Sequence, residues 1–324
     1  MSPVRKNNDI FRWFESVRGI PVPKFITGLR GSGKAEFLTT LRNRLITDGL
    51  PPERCLLIDT DDPSLRKYAT HEQMIDYILN ALPRKGKSYI FIREATALPN
   101  PEIVIGTLAA SGQHDLLATS SSRRLLNQGL AGYFSTRLAH FEKLPDKDRS
   151  PYTSAEAHAR WNDIFLNDVL APGRIVDVAI AKRVAGWLSD NLGTTTSLRN
   201  IALAISSSKQ LMSPHTVNAY LAALEEAHLV EKVVQWDEVE ATTKQRGYRY
   251  FYTDPELRLA YFGPAPEDEA RRMALNRAWL FLRHEFKKVF TVPDGEEFDF
   301  IARRGHSFSH WRAQEDGSVE CLDG

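Results

Sequence analysis

The stretch GLRGSGKAEF, residues 28–37, constrains this chain more than any other. It follows the pattern G-x-x-x-x-G-K-[S/T] at Gly28, Gly33 and Lys34, but Ala35 stands where a magnesium-binding hydroxyl is expected. Such a loop carries chemistry only where a strand enters it and a helix leaves it. Both conditions are met. KFITG reads as a strand, and in GKAEFLTTLRNRLITDG the residues Phe37, Leu38, Leu41, Leu45 and Ile46 fall near one helical face, with Gly49 suited to the C-cap. Gly28, Gly31 and Gly33 let the backbone wrap closely, Ser32 adds a hydroxyl, and successive N–H groups at the helix start point at phosphate oxygens beside the Lys34 charge.

From Pro23 to about Phe141 further short apolar runs, CLLIDT, SYIFI, DLLATS and RLAHFE, alternate with helical stretches. That alternation predicts a parallel sheet covered by helices. With 324 residues, 42% hydrophobic and 26% charged, the chain has material for two or three globular domains. A net charge of +1 excludes a protein built as a whole to coat nucleic acid or an anionic membrane, so such contacts must be local. The two cysteines, Cys55 and Cys321, cannot form a disulfide framework, and no apolar run reaches the roughly 18 residues that cross a bilayer. The expected compartment is the cytoplasm.

A phosphate-loop hydrolase also needs an acidic residue at the end of a second strand to hold magnesium and a carboxylate beside it to orient water. SYIFIREAT ends instead in Arg93-Glu94. The order FITGLRGSGK, LLIDTDDPSLRKYA, YIFIREATAL, DLLATSSSRRLL, LAGYFSTRLAHFEKLP resembles bacterial and archaeal AAA-type P-loop ATPases that carry a C-terminal domain of unknown function with a restriction-endonuclease-like core. The resemblance implies that Lys34 is the phosphate lysine, Glu94 the water-orienting carboxylate, and 119–122, with Ser120, the polar sensor at the γ-phosphate side. It also implies three departures: Ala35 replaces the hydroxyl, Arg93 the magnesium aspartate, and Tyr133 after Gly132 an arginine that reaches a neighbouring subunit.

Binding and turnover are affected differently by these departures. Charge-assisted hydrogen bonds contribute roughly 1.5–3 kcal/mol each, so several from the loop plus Lys34 reach the approximately 8 kcal/mol of a micromolar complex. An arginine finger alone contributes on the order of 10³–10⁵ in rate. Two readings of Arg93 stand open: a fixed guanidinium in the metal's place, or an ion pair with Glu94 or Asp59 in a decayed site.

Beyond a linker at 144–154, RIVDVAIAKRVAGWLSDNLG, SLRNIALAISSS and MSPHTVNAYLAALEEAHLVEKV predict helices, the last with Ser213 as N-cap and Pro214 at the first position. VEKVVQWDEV and YRYFYTD then predict a hairpin, completing a winged helix. Its charge is balanced: Arg199, Lys209, Lys232, Lys244, Arg246 and Arg249 face Glu225, Glu226, Glu231, Asp237, Glu238 and Glu240. Phosphate neutralisation dominates DNA affinity, so packing or regulation is the better expectation, with Lys244, Arg246 and Arg249 the best DNA contacts otherwise. In the last segment ALNRAWLFLRHEF and EEFDFIARRG resemble the remains of a nuclease-like core, with Asp299 more a structural residue than a catalyst. His306, His310 and Cys321 lack the spacing of a zinc site.

The expected domains are a P-loop domain of AAA type at 1–150, a helical and winged-helix domain at 151–265, and a short α+β nuclease-like remnant at 266–324. The expected function is binding of ATP or ADP with impaired or absent hydrolysis, in a regulatory or switch role. Magnesium would find weakened ligands. The alternatives are an interaction or DNA-binding regulator on a non-binding ATPase scaffold, and a slow magnesium-dependent ATPase. A protein partner or a homo-oligomer is compatible with either; a membrane is not.

Overall fold

The computed structural model describes residues 4–126, 139–143, 145, 151–170, 177–208, 211–237 and 242–323. The chain divides into two compact units, Met1–Asp146 and Lys147–Gly324.

The first unit runs α1 (Val4–Val17), β1 (Lys24–Thr27), α2 (Lys34–Thr47), β2 (Cys55–Asp59), α3 (His71–Asn80), β3 (Ser88–Arg93), α4 (Pro101–Ala110), β4 (His114–Ser120) and β5 (Ala139–Glu142). Its five strands are parallel, in the order β2-β3-β4-β1-β5. A sheet buried on both faces needs apolar residues on both, which is why its strands read as near-continuous apolar runs. Ile58, Ile90 and Ile92 pack with Met74, Ile78, Val104 and Ile105 on one face. Phe91 and Leu117 pack with Ile10, Phe14, Phe37, Leu38 and Leu41 on the other. The α3 start is fixed by a capping box between Thr70 and Gln73, and Pro101 occupies the first turn of α4, where its missing N–H costs nothing. Burial pushes the Cys55 thiol pKa up, which makes it an inert core group.

A buried ion pair closes the entry end of β1 against β4. Lys24 Nζ donates to Asp115 Oδ1 at 2.5 Å and to the Ile20 and Val22 carbonyls at 2.9 and 3.1 Å, while Asp115 Oδ2 accepts from the Gly19 amide at 2.7 Å. Both side chains are withdrawn from solvent.

The second unit opens with α5 (Ser154–Ile164), a π turn (Phe165–Leu170), α6 (Val178–Asp190), α7 (Leu198–Ile205) and α8 (Pro214–Glu226). After these come β6 (Val230–Asp237), β7 (Thr242–Tyr252), α9 (Pro255–Phe262), α10 (Glu269–Glu285), β8 (Lys288–Thr291), β9 (Phe300–Arg304), β10 (Ser307–Ala313) and β11 (Val319–Cys321). Thr196, between α6 and α7, bridges Tyr248 of the hairpin. The strands form one six-stranded sheet, β11-β10-β9-β8-β6-β7, in which β6 and β8 are parallel and the other pairs antiparallel.

The segments 151–265 and 266–324, expected as separate domains, thus share one unit and one sheet. The hairpin leaves an edge of β6 unpaired, and β8, distant in sequence, satisfies it. The α10 helix seals the join. Asn276 bonds both the N–H and the C=O of Tyr252 at 2.8 Å, and Trp279 stacks on Phe251 at 5.3 Å. No described helix is long and apolar enough to cross a membrane.

Breaking the buried pair in the first unit by Lys24→Met should cost about 3–5 kcal/mol in urea unfolding, because it strands a buried carboxylate. Replacing both partners, as Lys24→Met with Asp115→Leu, should recover part of that loss.

Candidate functional site

Strand β1 ends at Thr27, and the chain turns through 28–33 into α2. Gly28, Gly31 and Gly33 all have positive φ (150°, 72° and 88°), a region other residues rarely enter. At Gly28 the need is also steric: a Cβ there would lie 2.1 Å from the Lys143 carbonyl oxygen. Gly33 is the N-cap of α2 and offers no side-chain cap, so the first turn of a 14-residue helix keeps its N–H groups for another acceptor. Within the loop the buried Ser32 Oγ has no hydrogen-bond partner.

Lys34 is buried, and its ammonium folds back onto the loop. It donates to the Gly28 and Leu29 carbonyls at 2.8 and 2.9 Å and to Ser121 Oγ at 3.3 Å. Ser121 in turn donates from Oγ to Glu94 Oε2 at 2.6 Å, so the lysine charge is balanced by Glu94 through one hydroxyl.

Glu94 follows β3 and sits in the left-handed region at φ 46°, strain that a non-glycine residue bears only when its surroundings hold it. They do hold it. The Glu94 N–H donates to Thr119 Oγ1 at 3.1 Å, and the carboxylate accepts from the Ser121 N–H at 2.9 and 3.0 Å, Ser121 Oγ at 2.6 Å and Thr96 Oγ1 at 2.6 Å. A carboxylate so engaged anchors the end of β4. The serine that meets the lysine is Ser121 and not the expected Ser120. Ser120 Oγ is spent inside its own turn, on the Ser122 carbonyl at 2.7 Å and the Ser122 N–H at 3.0 Å. A run reading TSSS gives no sign of which serine points at the loop.

Arg93 resolves toward the ion pair. Its guanidinium bonds the Asp59 carboxylate on the neighbouring strand, where the two residues are in register. It therefore does not stand as an isolated cation at the loop. The second lysine beside the loop is Lys143, which no motif in the sequence singles out. Its N–H bonds the Thr27 carbonyl at 2.7 Å, and its buried side chain runs along the loop with Nζ 3.6 Å from where a Gly33 Cβ would sit. Only the pairing of β5 with β1 brings it there. Gly132 and Tyr133, where the resemblance expects an arginine, lie outside the described residues.

The residues fit a phosphate: an uncapped helix start, an orphaned buried hydroxyl and two buried lysines. They do not fit magnesium, which wants several oxygens in octahedral array. Ala35 offers none, Glu94 is committed, Asp59 is paired with Arg93, and no group of three or more His, Cys, Asp or Glu suited to a metal occurs among the described residues.

In the second unit several candidate residues serve structure. Asp299 accepts from Arg271 at 2.5 Å and from the Ala313 N–H at 2.9 Å. His310 Nδ1 meets Asp323 at 2.6 Å, a contact that lowers the Asp323 pKa. Arg249, expected as a DNA contact, is buried and bonds the Val292 carbonyl at 2.9 Å and Asp294 at 2.7 Å. The side chains of Lys244 and Arg246, with Lys209, Glu238 and Glu240, lie outside the described residues.

Residues 21–146 match the family model of an AAA domain. An uncharacterized protein of Haemophilus influenzae is 25% identical over 322 residues, covering 87% of this chain and 79% of its own. Among solved structures, the Walker-type ATPase PABY2304 of Pyrococcus abyssi aligns at a TM-score of 0.44 and 11% identity, over 79% of this chain and 94% of that one. Drosophila ORC bound to GC-rich DNA and Cdc6 aligns at 0.30 and 12% identity, over 87% and 92%. The chain has distant kinship to AAA-type P-loop ATPases, through its first unit.

Gly28→Ala should lower the unfolding free energy by at least about 2 kcal/mol in a urea titration, since the added methyl meets backbone, which cannot swing aside. Glu94→Gln should cost about 1–3 kcal/mol, because one face of the amide presents N–H groups to the Ser121 donors.

Proposed function

We propose that residues 28–34 bind the phosphates of ATP or ADP, that hydrolysis is absent or vestigial, and that occupancy of the site serves a regulatory or switch role. The observation that carries this reading is the buried Lys34 ammonium at the uncapped start of α2, held on two neutral carbonyls of its own loop and on the Ser121 hydroxyl. Hydrogen bonds between ionised partners are roughly twice as strong as neutral ones. Phosphate oxygens therefore compete well for this lysine against the Gly28 and Leu29 carbonyls.

Lys143 supplies a second positive charge on the helix side of the loop, and the Ser32 hydroxyl a further donor. The two lysines offset phosphate charge that magnesium would otherwise share, which favours binding that does not require the metal. Turnover needs more than charge balance. It needs a positioned water, and the carboxylate best placed for that task is occupied by Ser121 and Thr96. We read 178–252 as a winged helix used for packing or protein contact, because α8 presents His215, Thr216 and Asn218 but no Lys or Arg, and Arg249 is buried.

Calorimetric titration of ATP and of ADP into the full chain, with magnesium and with a chelator, tests the site. Micromolar binding that persists in the chelator is expected, abolished by Lys34→Ala and weakened about ten-fold or more by Lys143→Ala. A strict magnesium requirement would overturn the metal-independent reading, and no binding in either condition would overturn the nucleotide site itself.

A further inference from the structure

The sheet of the second unit carries a second candidate site, remote in sequence from the phosphate loop. Cross-strand partners share a face of a sheet. Lys288 of β8 pairs with Arg303 of β9, which pairs with Phe308 of β10, so one row across three strands reads cation, cation, aromatic. The next row on that face reads Phe290, Ile301, His310. Trp236 of β6 joins them, its ring 5.0 Å from Phe290 and 4.9 Å from Phe308. Arg303 lies over the Phe308 ring at 5.4 Å.

Beside this aromatic row is an open groove of about 330 Å³ lined by Trp236, Phe290, Arg283, Lys287, Lys288 and Arg303, with Glu231 as its carboxylate. Glu231 is engaged by Arg283 at 3.0 Å, so the pair is neutral and the remaining charge of the lining is positive. Lys287 and Lys288 are exposed, and Phe308 leaves 38% of its surface to solvent although it is a large aromatic at the sheet edge.

A polyanion explains the lysines and Arg303, and a flat apolar group explains the exposed Phe308 ring, which stands beside the half-buried Trp236 over the buried Phe290 and Ile301. Single-stranded nucleic acid joins the two, its phosphates tracking a basic groove while bases stack on aromatic side chains. We infer that this face of the β6–β8–β9–β10 sheet binds single-stranded nucleic acid, with Lys287, Lys288 and Arg303 on phosphates and Phe308 and Trp236 as the stacking platform. A duplex is disfavoured because its bases are already stacked and unavailable to the rings. The site is independent of the winged-helix face of α8, and it does not rest on the nucleotide-binding reading.

Fluorescence anisotropy of a labelled oligothymidylate, an oligouridylate and a duplex of equal length, titrated with the full chain over a series of salt concentrations, tests the inference. Binding of at least one single strand, well above the duplex, is expected. Lys287→Ala with Lys288→Ala should flatten the slope of log K against log salt by about 1.4, at about 0.7 per lost phosphate contact. Phe308→Ala should weaken binding about five-fold or more while leaving that slope unchanged. The Lys287, Lys288 and Phe308 variants change exposed side chains, and an unchanged thermal melt confirms folding. Lys34→Ala should bind the oligonucleotide as wild type does, which separates this site from the phosphate loop. No binding of either single strand, a duplex bound as tightly, or affinity indifferent to both the lysine and the phenylalanine changes would overturn the assignment; the two single strands distinguish DNA from RNA.

Discussion

The pairing of β1 with β4 is the constraint on which the first unit depends, and a lysine closes each end of it. At the entry end Lys24 is buried against Asp115. At the exit end Lys34 reaches Ser121, just beyond β4. A register slip of one residue would turn every side chain to the opposite face. It would also part Lys24 from Asp115 and strand two charges in the core, a cost of several kcal/mol. The register is therefore locked, and the locked register puts the phosphate loop and the Ser121 turn side by side.

At the loop, charge is redistributed as a result. Around it Ala35 presents a methyl, the Arg93 guanidinium is tied to Asp59, and the Glu94 carboxylate is committed to Ser121 and Thr96. The strained Glu94 backbone, the four bonds to its carboxylate and the lysine behind Ser121 form one network, and a change in any member is transmitted to the others at hydrogen-bond range. Lys143 adds positive charge from a different strand, held close because Gly28 has no side chain to keep β5 away.

The second unit solves a different problem. A hairpin has two edges, and both β6 and the C-terminal strands would be incomplete alone. Their union in one sheet, sealed by Asn276 and Trp279 of α10, leaves one face to the helices and turns the other toward Trp236, Phe290 and Phe308. That face mixes rings with Lys288 and Arg303 because the strands that carry them alternate sides, and its cations and Phe308 surround a buried apolar centre at Phe290 and Ile301.

Local periodicity and glycine chemistry are enough to place the five parallel strands, the loop at 28–33 and the helix after it, since each is set by residues within a few positions. The Arg93–Asp59 pair was legible as one of two alternatives, because both residues end apolar runs. The choice of Ser121 over Ser120, the arrival of Lys143 at Gly33, the burial of Arg249 and the merging of 151–265 with 266–324 were not legible. Each depends on which strand lies beside which, and a contact between residues some 90 or 110 positions apart leaves no trace in the pattern around either one. The sequence by itself determined that a glycine-rich loop with a lysine forms between a strand and a helix; only the tertiary structure decided where the surrounding charges stand, because electrostatics acts through distance in space and the chain specifies that only once its strands are paired.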